Sequence, residues 1–182
     1  NNQKMEFGDI TNLSDELISK VINEQSISDV TLGSFLSGGI DSSIVTAYLQ
    51  RNSLKKISTF NVSYNDMNYD ESKYASEISK ILGTEHETLN IDDKIIENNI
   101  ENIPDIYGEP FADSSQILTY LVSKFAKLKV KVCLSGDGGD EIFGGYNRHK
   151  YVKNYLPYLE KISSKNKLKL QSFLNKIPIS FL

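Results

Sequence analysis

A strand, a glycine turn and a helix follow one another directly over residues 31–50, and no other stretch constrains the fold as strongly. The apolar residues 32–36 predict a buried strand, and apolar side chains at helical spacing after Asp41 predict a helix. The turn between them leaves several backbone N–H groups free at a helix N-terminus, where an anion is stabilised. The stretch therefore predicts an α/β fold with an anion-binding turn.

The side chains of this turn suit a phosphate group. Serine hydroxyls can donate hydrogen bonds to phosphate oxygens, and glycines let the backbone approach a ligand where a Cβ atom would collide. The residues concerned are Ser37, Gly38, Gly39, Ser42 and Ser43. The alternative is an ordinary tight turn in which aspartate and serine side chains only cap the following helix.

Asp41 distinguishes this turn from a plain phosphate-binding loop. Its carboxylate would repel a phosphate at close range unless a cation lies between them, and Mg²⁺ prefers carboxylate and phosphate oxygens. The stretch also lacks the lysine of the G-x-x-x-x-G-K-S/T pattern, so it is not a Walker A loop. The residues therefore predict a phosphate loop of another class, used together with Mg²⁺.

Strand and helix patterns alternate along the rest of the chain. Further strands are predicted over residues 57–62, 85–89 and 129–134, and further helices over residues 12–25, 70–82, 92–103 and 117–128. Such alternation favours a parallel sheet with helices on both faces. Ligands of these sheets bind beyond the carboxyl ends of the strands, which is where the glycine turn would lie.

A second glycine-rich loop follows the strand predicted at residues 129–134. Residues 135–141 read S-G-D-G-G-D-E, which places three carboxylates within five residues. Repulsion among these carboxylates is unfavourable unless a cation or a proton reduces their charge. The simpler alternative is an acidic turn exposed to solvent. Because both loops follow apolar strands, we predict that they meet at one edge of the sheet and hold Mg²⁺ between Asp41 and Asp140.

Composition and charge exclude several classes of protein. The 182 residues carry a formal net charge of −4 with acids and bases interspersed, which indicates no nucleic-acid partner and no membrane surface. No apolar run approaches the length of a membrane span, and no signal-peptide pattern opens the chain. A single cysteine, Cys133, excludes an internal disulfide and fits a cytoplasmic location.

Four stretches of the chain form a recognisable pattern. Residues 37–43 read S-G-G-I-D-S-S, and residues 134–146 read L-S-G-D-G-G-D-E-I-F-G-G-Y. Between them lie D-E-S-K-Y-A-S-E-I-S-K-I-L-G-T-E-H and Y-G-E-P-F-A-D-S-S. The first motif resembles the pyrophosphate loop of the ATP pyrophosphatases, which cleave ATP to AMP and pyrophosphate while adenylating a substrate. The other three add a resemblance to the synthetase domain of the glutamine-hydrolysing asparagine synthetases, over residues 13–148.

The resemblance implies the adenine nucleotide alpha hydrolase-like fold, a parallel sheet with helices on both faces. It also implies ATP and Mg²⁺ as cofactors. The phosphates of ATP would bind to residues 37–43. Leu36, Val62, Ser135 and Gly136 match positions that line the nucleotide in the family, with main-chain groups near Val62 reading adenine.

Three acidic residues take part in the chemistry that the resemblance implies. Asp41 and Asp140 match the Mg²⁺ ligands of the family, and Asp137 matches an acidic position linked to formation of a β-aspartyl-AMP intermediate. Several relatives carry glutamate in place of Asp137, whose side chain is shorter. β-Lactam synthetases have tyrosine there, which argues against that branch.

The reaction implied is ATP-dependent amidation of aspartate to asparagine, with ammonia supplied from glutamine and release of AMP and pyrophosphate. The expected partners are therefore small molecules, and a homodimer is an expectation for the full-length enzyme. Two alternatives stay open on the residues alone. One is an amidotransferase that acts on another carboxylate, and the other is a non-catalytic ATP-binding module.

The resemblance also predicts what the 182 residues lack. The chain begins Asn-Asn-Gln rather than with methionine, so we expect it to be a piece of a longer protein. The family's N-terminal glutaminase domain, and a later segment that supplies a basic residue to the ATP site, would be absent. We therefore expect residues 1–182 to form a synthetase-domain fragment with a helical tail at residues 151–182, which binds ATP·Mg²⁺ with weak or no turnover.

Overall fold

The computed structural model describes residues 5–64, 70–109, 113 and 115–174. The chain forms two compact units, Asn1–Asp137 and Gly138–Leu182, and each is described by itself. Part of the family-like stretch at residues 107–115, namely 110–112 and 114, lies outside the described residues.

The first unit is built on a parallel sheet flanked by helices. Its described elements are α1 (Phe7–Gln25), β1 (Leu32–Phe35), α2 (Ile40–Arg51), β2 (Ser58–Tyr64), α3 (Ser72–Leu82), β3 (Glu85–Ile91), α4 (Asp93–Ile100), α5 (Ile103–Tyr107), α6 (Gln116–Ala126) and β4 (Val132–Leu134). The strands lie in the order β3-β2-β1-β4, and every neighbouring pair is parallel. The predicted parallel sheet is therefore confirmed.

Helices cover both faces of this sheet. Alternate residues of each strand point to opposite sides, so each face carries apolar side chains that a helix can bury. On one face Phe60 of β2 packs against α6, where the rings of Phe60 and Phe125 meet edge to face with centroids 5.9 Å apart. On the other face Ile22 of α1, Leu49 of α2 and Ile57 form a second buried cluster. Burial of this apolar surface holds the helices on the sheet.

A buried polar pair fixes α2 to β1. The hydroxyl oxygens of Ser34 in β1 and Thr46 in α2 lie 2.9 Å apart, and both residues are fully buried. The Thr46 hydroxyl also donates to the main-chain carbonyl of Ser42 at 2.8 Å. Because these hydroxyls are hydrogen-bonded, the pair sets the position of α2 on the sheet without leaving a polar group unsatisfied.

The helix α1 begins at Phe7 rather than at residue 12, and it packs differently from the prediction. Its apolar pattern predicts one packed face, but only part of that face meets the core: Ile22 is buried, whereas three residues are 43–53% exposed. These are Leu13, Leu17 and Val21. α1 meets α2 partly through polar groups, since Asp15 accepts a hydrogen bond from Tyr48. No helix in the described ranges is long and apolar enough to cross a membrane.

The second unit is helical in its described part and contains α7 (Gly139–Phe143), α8 (Asn147–Glu160) and α9 (Ser164–Leu174). Two glycines in the left-handed region flank α7, Gly138 with φ +87° and Gly144 with φ +71°. Glycine adopts this conformation without a steric penalty, so both ends of the short helix depend on it. Pro157 lies inside α8.

His86, near the start of β3, belongs to a row of polar groups that bond to one another. Its Nδ1 atom lies 3.0 Å from the hydroxyl of Thr59, which in turn lies 3.1 Å from the hydroxyl of Thr84. Burial lowers the pKa of the His86 imidazole, while the neighbouring Glu87 acts in the opposite direction. The folded chain therefore keeps this imidazole neutral at a pH where the unfolded chain would protonate it.

We expect the free energy of unfolding to decrease as the pH falls below about 6.5, the ordinary pKa of histidine. In that range the unfolded state binds a proton that the folded state does not bind, so protonation favours unfolding. A His86→Gln variant should show a smaller decrease between about pH 7.5 and about pH 5.5, measured by urea unfolding. Equal decreases in the two proteins would mean that His86 is not the cause.

Candidate functional site

Backbone contacts shape the loop that joins β1 to α2. Leu36, which follows β1, is fully buried, and its N–H donates to the carbonyl of Phe60 at 2.9 Å. Gly38 has φ +87°, and a Cβ atom there would lie 2.6 Å from the Cβ atom of Tyr74 in α3. Gly38 is therefore required both for its backbone conformation and for the close approach of α3.

Hydroxyl groups close this loop from within. The hydroxyl oxygens of Ser37 and Ser42 lie 3.0 Å apart, and the Ser42 hydroxyl donates to the Gly39 carbonyl at 3.2 Å. The Gly39 N–H donates to Ser37 Oγ at 3.2 Å. By contrast, the Oγ atom of Ser43 is buried and has no hydrogen-bond partner among the described residues. Of the three predicted phosphate-binding hydroxyls, two already have partners within the loop and Ser43 needs one.

The first turn of α2 presents main-chain donors to the loop. Because α2 begins at Ile40, the N–H groups of Ile40, Asp41 and Ser42 precede the first intrahelical bond, which Ser43 donates to Gly39 at 3.0 Å. These N–H groups and the helix dipole favour an anion at this position. The Asp41 side chain is half-buried in the same turn and forms no salt bridge within the described part of the chain. Its carboxylate is therefore available as an oxygen ligand for a cation.

The loop after β4 packs directly onto this turn. A Cβ atom on Gly136 would lie 2.6 Å from the nitrogen of Ser42 and 2.9 Å from the carbonyl carbon of Asp41. Only glycine lets two main chains approach so closely. The structure thus brings Gly136 to the first turn of α2, while its role in binding a nucleotide stays a prediction.

Ser135 and Asp137 lie on either side of Gly136 and bond to each other. Ser135 Oγ donates to Asp137 Oδ2 at 2.9 Å, and the Asp137 N–H donates to the same hydroxyl oxygen at 3.4 Å. The Asp137 side chain is exposed. This pair of bonds orients the carboxylate to which the resemblance assigns a part in adenylation.

Asp140 belongs to the second unit, where it lies in the first turn of α7. Its main-chain carbonyl accepts the N–H groups of Gly144 at 2.9 Å and Gly145 at 3.1 Å, and its side chain is half-buried. Nowhere in the described ranges do three His, Cys, Asp or Glu side chains group closely enough to hold a metal by themselves. The pairing of Asp140 with Asp41 on Mg²⁺ stays a prediction, and such a site would need phosphate oxygens as further ligands.

Two neighbouring residues of β2 have different surroundings. Val62, predicted to lie beside the nucleotide, is half-buried in the second half of the strand and pairs with Leu89. Asn61 is 6% exposed, and neither its Oδ1 nor its Nδ2 atom has a hydrogen-bond partner in the part of the chain that the structure describes. Asn61 was not among the residues predicted from the sequence. The signal that could have found it is an asparagine inside a predicted strand, where this residue is depleted.

Cys133 lies in β4 and packs, half-buried, against the apolar cluster that contains Phe60. Burial raises the pKa of its thiol to about 11. Since the thiolate is the nucleophilic form, this cysteine is a poor nucleophile at neutral pH. Its position fits a packing role.

A family model for asparagine synthase matches residues 14–179, which is most of the chain. The chain belongs to the asparagine synthase family. It is 38% identical over 145 residues to a protein of Methanocaldococcus jannaschii provisionally named asparagine synthetase (glutamine-hydrolyzing) 2, covering 76% of this chain and 28% of that protein. It is 34% identical over 168 residues to asparagine synthetase (glutamine-hydrolyzing) 1 of Bacillus subtilis, covering 88% of this chain and 26% of that protein. The chain thus spans about a quarter of the length of these relatives.

A solved structure supports the same fold for this member of the asparagine synthase family. The chain is similar to the NH3-dependent NAD synthetase of Campylobacter jejuni, with a TM-score of 0.50 and 18% sequence identity. The match covers 79% of this chain and 62% of that one. At this identity the likeness concerns the fold alone, and it confirms the predicted adenine nucleotide alpha hydrolase-like architecture.

We expect Gly136→Ala to lower the free energy of unfolding by about 1–3 kcal/mol, because the added methyl group meets main-chain atoms that cannot rotate away. Gly8→Ala in α1 is the matched control. Beyond its chain neighbours and its own helix backbone, no described atom lies within 4 Å of a Cβ atom at Gly8, and alanine favours a helix over glycine. Urea unfolding measures both changes. A Gly136→Ala protein as stable as the unaltered chain would contradict the close packing of the two loops.

Proposed function

We propose that this chain is the ATP-binding synthetase part of a glutamine-hydrolysing asparagine synthetase. Membership of the asparagine synthase family and the names of the relatives support the proposal. The observation that carries it is the contact of Gly136 with the first turn of α2, which sets the beginning of the second loop beside the first loop. Main-chain donors for phosphate and the beginning of an acidic loop then share one edge of a parallel sheet, where ligands of such folds bind.

In the proposed reaction the β-carboxylate of aspartate attacks the α-phosphorus of ATP. The bond from the α-phosphorus to its bridging oxygen breaks, pyrophosphate leaves, and β-aspartyl-AMP forms. Ammonia then attacks the acyl carbon, the bond to the AMP oxygen breaks, and asparagine, AMP and a proton are released. Catalysis of this kind rests on alignment of the reactants and on stabilisation of developing charge.

Residues of the loops after β1 and β4 suit these ligands. The first-turn N–H groups and the Ser43 hydroxyl would bind phosphate oxygens, and the buried Ser43 Oγ atom, which has no partner in the described ranges, fits that part. Asp41 and Asp140 would hold Mg²⁺, which offsets negative charge on the leaving pyrophosphate. The half-buried Asp41 carboxylate, with no salt bridge to a described residue, fits a cation ligand. Asp137, exposed and oriented by Ser135, would act where the acyl adenylate forms.

The adenosine would lie along the ends of the strands. Leu36 is fully buried and its N–H is bonded to the Phe60 carbonyl, so it would support the nucleotide site from beneath. Val62, Ser135 and Gly136 are partly accessible and would contribute side-chain or main-chain surface. Main-chain contacts of this kind suit adenine, whose ring nitrogens and amino group match backbone donors and acceptors.

The ammonia would come from glutamine hydrolysed outside the 182 residues. The names of the relatives specify glutamine hydrolysis, and this chain spans about a quarter of their length. Cys133 is unsuited to that step, because burial raises the pKa of its thiol and the half-buried side chain packs against the cluster that contains Phe60. A free thiol fits the cytoplasm, where we place the protein.

The whole protein should convert ATP, aspartate and ammonia into AMP, pyrophosphate and asparagine in equal amounts. Chromatography of the nucleotides, with a pyrophosphate-release assay, measures the products. Replacing aspartate with glutamate or a sugar acid should stop pyrophosphate release. Faster release with another carboxylate would identify a different amidotransferase, and retention of intact ATP would identify a binding module.

The 182-residue chain should bind ATP more tightly when Mg²⁺ is present, with weak or no turnover. Asp41→Asn should remove most of this gain, a loss of about tenfold in affinity or more, because an amide carries no charge to hold the cation. Asp9→Asn, at an exposed position in the first turn of α1, makes the same change in net charge outside the loop sequence and should have no effect. Calorimetric titration measures both. An unchanged Mg²⁺ effect in Asp41→Asn, or brisk asparagine formation by this chain, would contradict the assignment.

A further inference from the structure

Asn61 is a buried amide that makes no side-chain hydrogen bond within the described residues. It is 6% exposed, and both polar atoms of its side chain lack a partner there. Burial of an unsatisfied amide destabilises a fold, and native proteins keep few such groups. An apolar side chain of similar shape would avoid this cost, so the amide calls for an explanation in function.

The sheet register places Asn61 at the base of the loop after β1. Phe35 of β1 pairs with Phe60 of β2, so the next residue pair is Leu36 and Asn61. Thr59, two residues earlier on the same face as Asn61, pairs with Ser34, whose hydroxyl meets α2. Asn61 therefore lies on the face of the sheet that carries α2, at the level where β1 gives way to the loop.

Ser43 is a second buried polar group on this side of the sheet without a partner among the described residues. It precedes Thr46 by three residues, and residues three apart share one face of a helix. Thr46 contacts Ser34, so Ser43 lies on the sheet side of α2, one turn closer to the loop. The side chains of Asn61 and Ser43 therefore both point into the layer between the sheet and the helices of this face. The Asn61 amide nitrogen has two hydrogens to donate, and the Ser43 hydroxyl can both accept and donate.

We propose that Asn61 is a positioning residue for the phosphates of ATP and acts through Ser43, an inference that rests on the proposed ATP-binding function. In the nucleotide-bound state the Asn61 amide nitrogen donates to Ser43 Oγ. A hydroxyl that accepts this bond has its own proton free for a phosphate oxygen. The negative charge of the phosphate strengthens both bonds, which offsets the cost of burying the amide.

The first test replaces Asn61 with leucine, which has a similar branched shape and no polar atoms. The free chain should keep or gain thermal stability, because an unsatisfied buried group is removed. The affinity for ATP·Mg²⁺ should fall about tenfold, because Ser43 loses the bond that orients it. Thermal unfolding without ligand and calorimetric titration with ATP·Mg²⁺ measure the two effects. Asn61→Ala removes the same amide without adding volume, so its affinity for ATP·Mg²⁺ tests the proposal even if leucine disturbs the packing.

Thr59→Val is the matched control. Thr59 is fully buried on the same strand and face, but its hydroxyl lies 3.1 Å from that of Thr84 and 3.0 Å from Nδ1 of His86. Its removal should lower stability and leave the affinity for ATP unchanged, the reverse of the result expected at Asn61. Asn61 variants that bind ATP as well as the unaltered chain would overturn the proposal, and so would an equal loss of affinity in Thr59→Val.

A double-mutant cycle tests whether Asn61 acts through Ser43. Ser43→Ala should weaken ATP binding, and the addition of Asn61→Leu to that variant should cost little more. Fully additive losses would overturn the link between the two residues. Failure of the unaltered chain to bind ATP would overturn the proposed function itself, and the inference with it, so the two failures are distinguishable.

Discussion

The approach of main chains to one another at the carboxyl edge of the sheet is the contact on which the candidate site depends. Gly136 meets the first turn of α2 where no Cβ atom fits, and Gly38 meets α3 in the same way. Neither contact requires charge or apolar surface, because the absence of a side chain is what permits it. Backbone shape therefore sets the loop, and side chains such as Ser43 and Asp41 then add the groups that suit phosphate and a cation.

The rest of the first unit holds these main chains in place. Parallel pairing of β1 with β2 and with β4 brings both loops to the same edge of the sheet. The Ser34–Thr46 hydroxyl pair and the apolar clusters on the two faces fix the helices that the loops enter and leave. On the sheet face that carries α2, the Thr59 hydroxyl is hydrogen-bonded, whereas the side chains of Asn61 and Ser43, closer to the loop, lack partners among the described residues. Polar groups left without partners next to a site are typical of function.

Hydrophobic periodicity was enough to predict the parallel sheet, because alternating strands and helices permit few arrangements. The glycine turn after β1 was predictable for the same local reason. Contacts between distant segments were not predictable, since no pattern within the helix reveals that Leu13 and Leu17 of α1 stay exposed. The unpartnered state of Asn61 likewise depends on strand register and on the position of α2, neither of which the sequence specifies residue by residue.

The most direct measurement is an NMR titration of the 182-residue chain with inorganic pyrophosphate in the presence of Mg²⁺. If the two loops form one anion-binding surface, the amide signals of Ile40, Asp41 and Ser42 should shift together with that of Gly136, with a single dissociation constant. The signal of Gly8, in the first turn of α1 and outside both loops, should stay in place. A response of the α2 turn without Gly136, or shifts confined to other parts of the chain, would contradict a shared site.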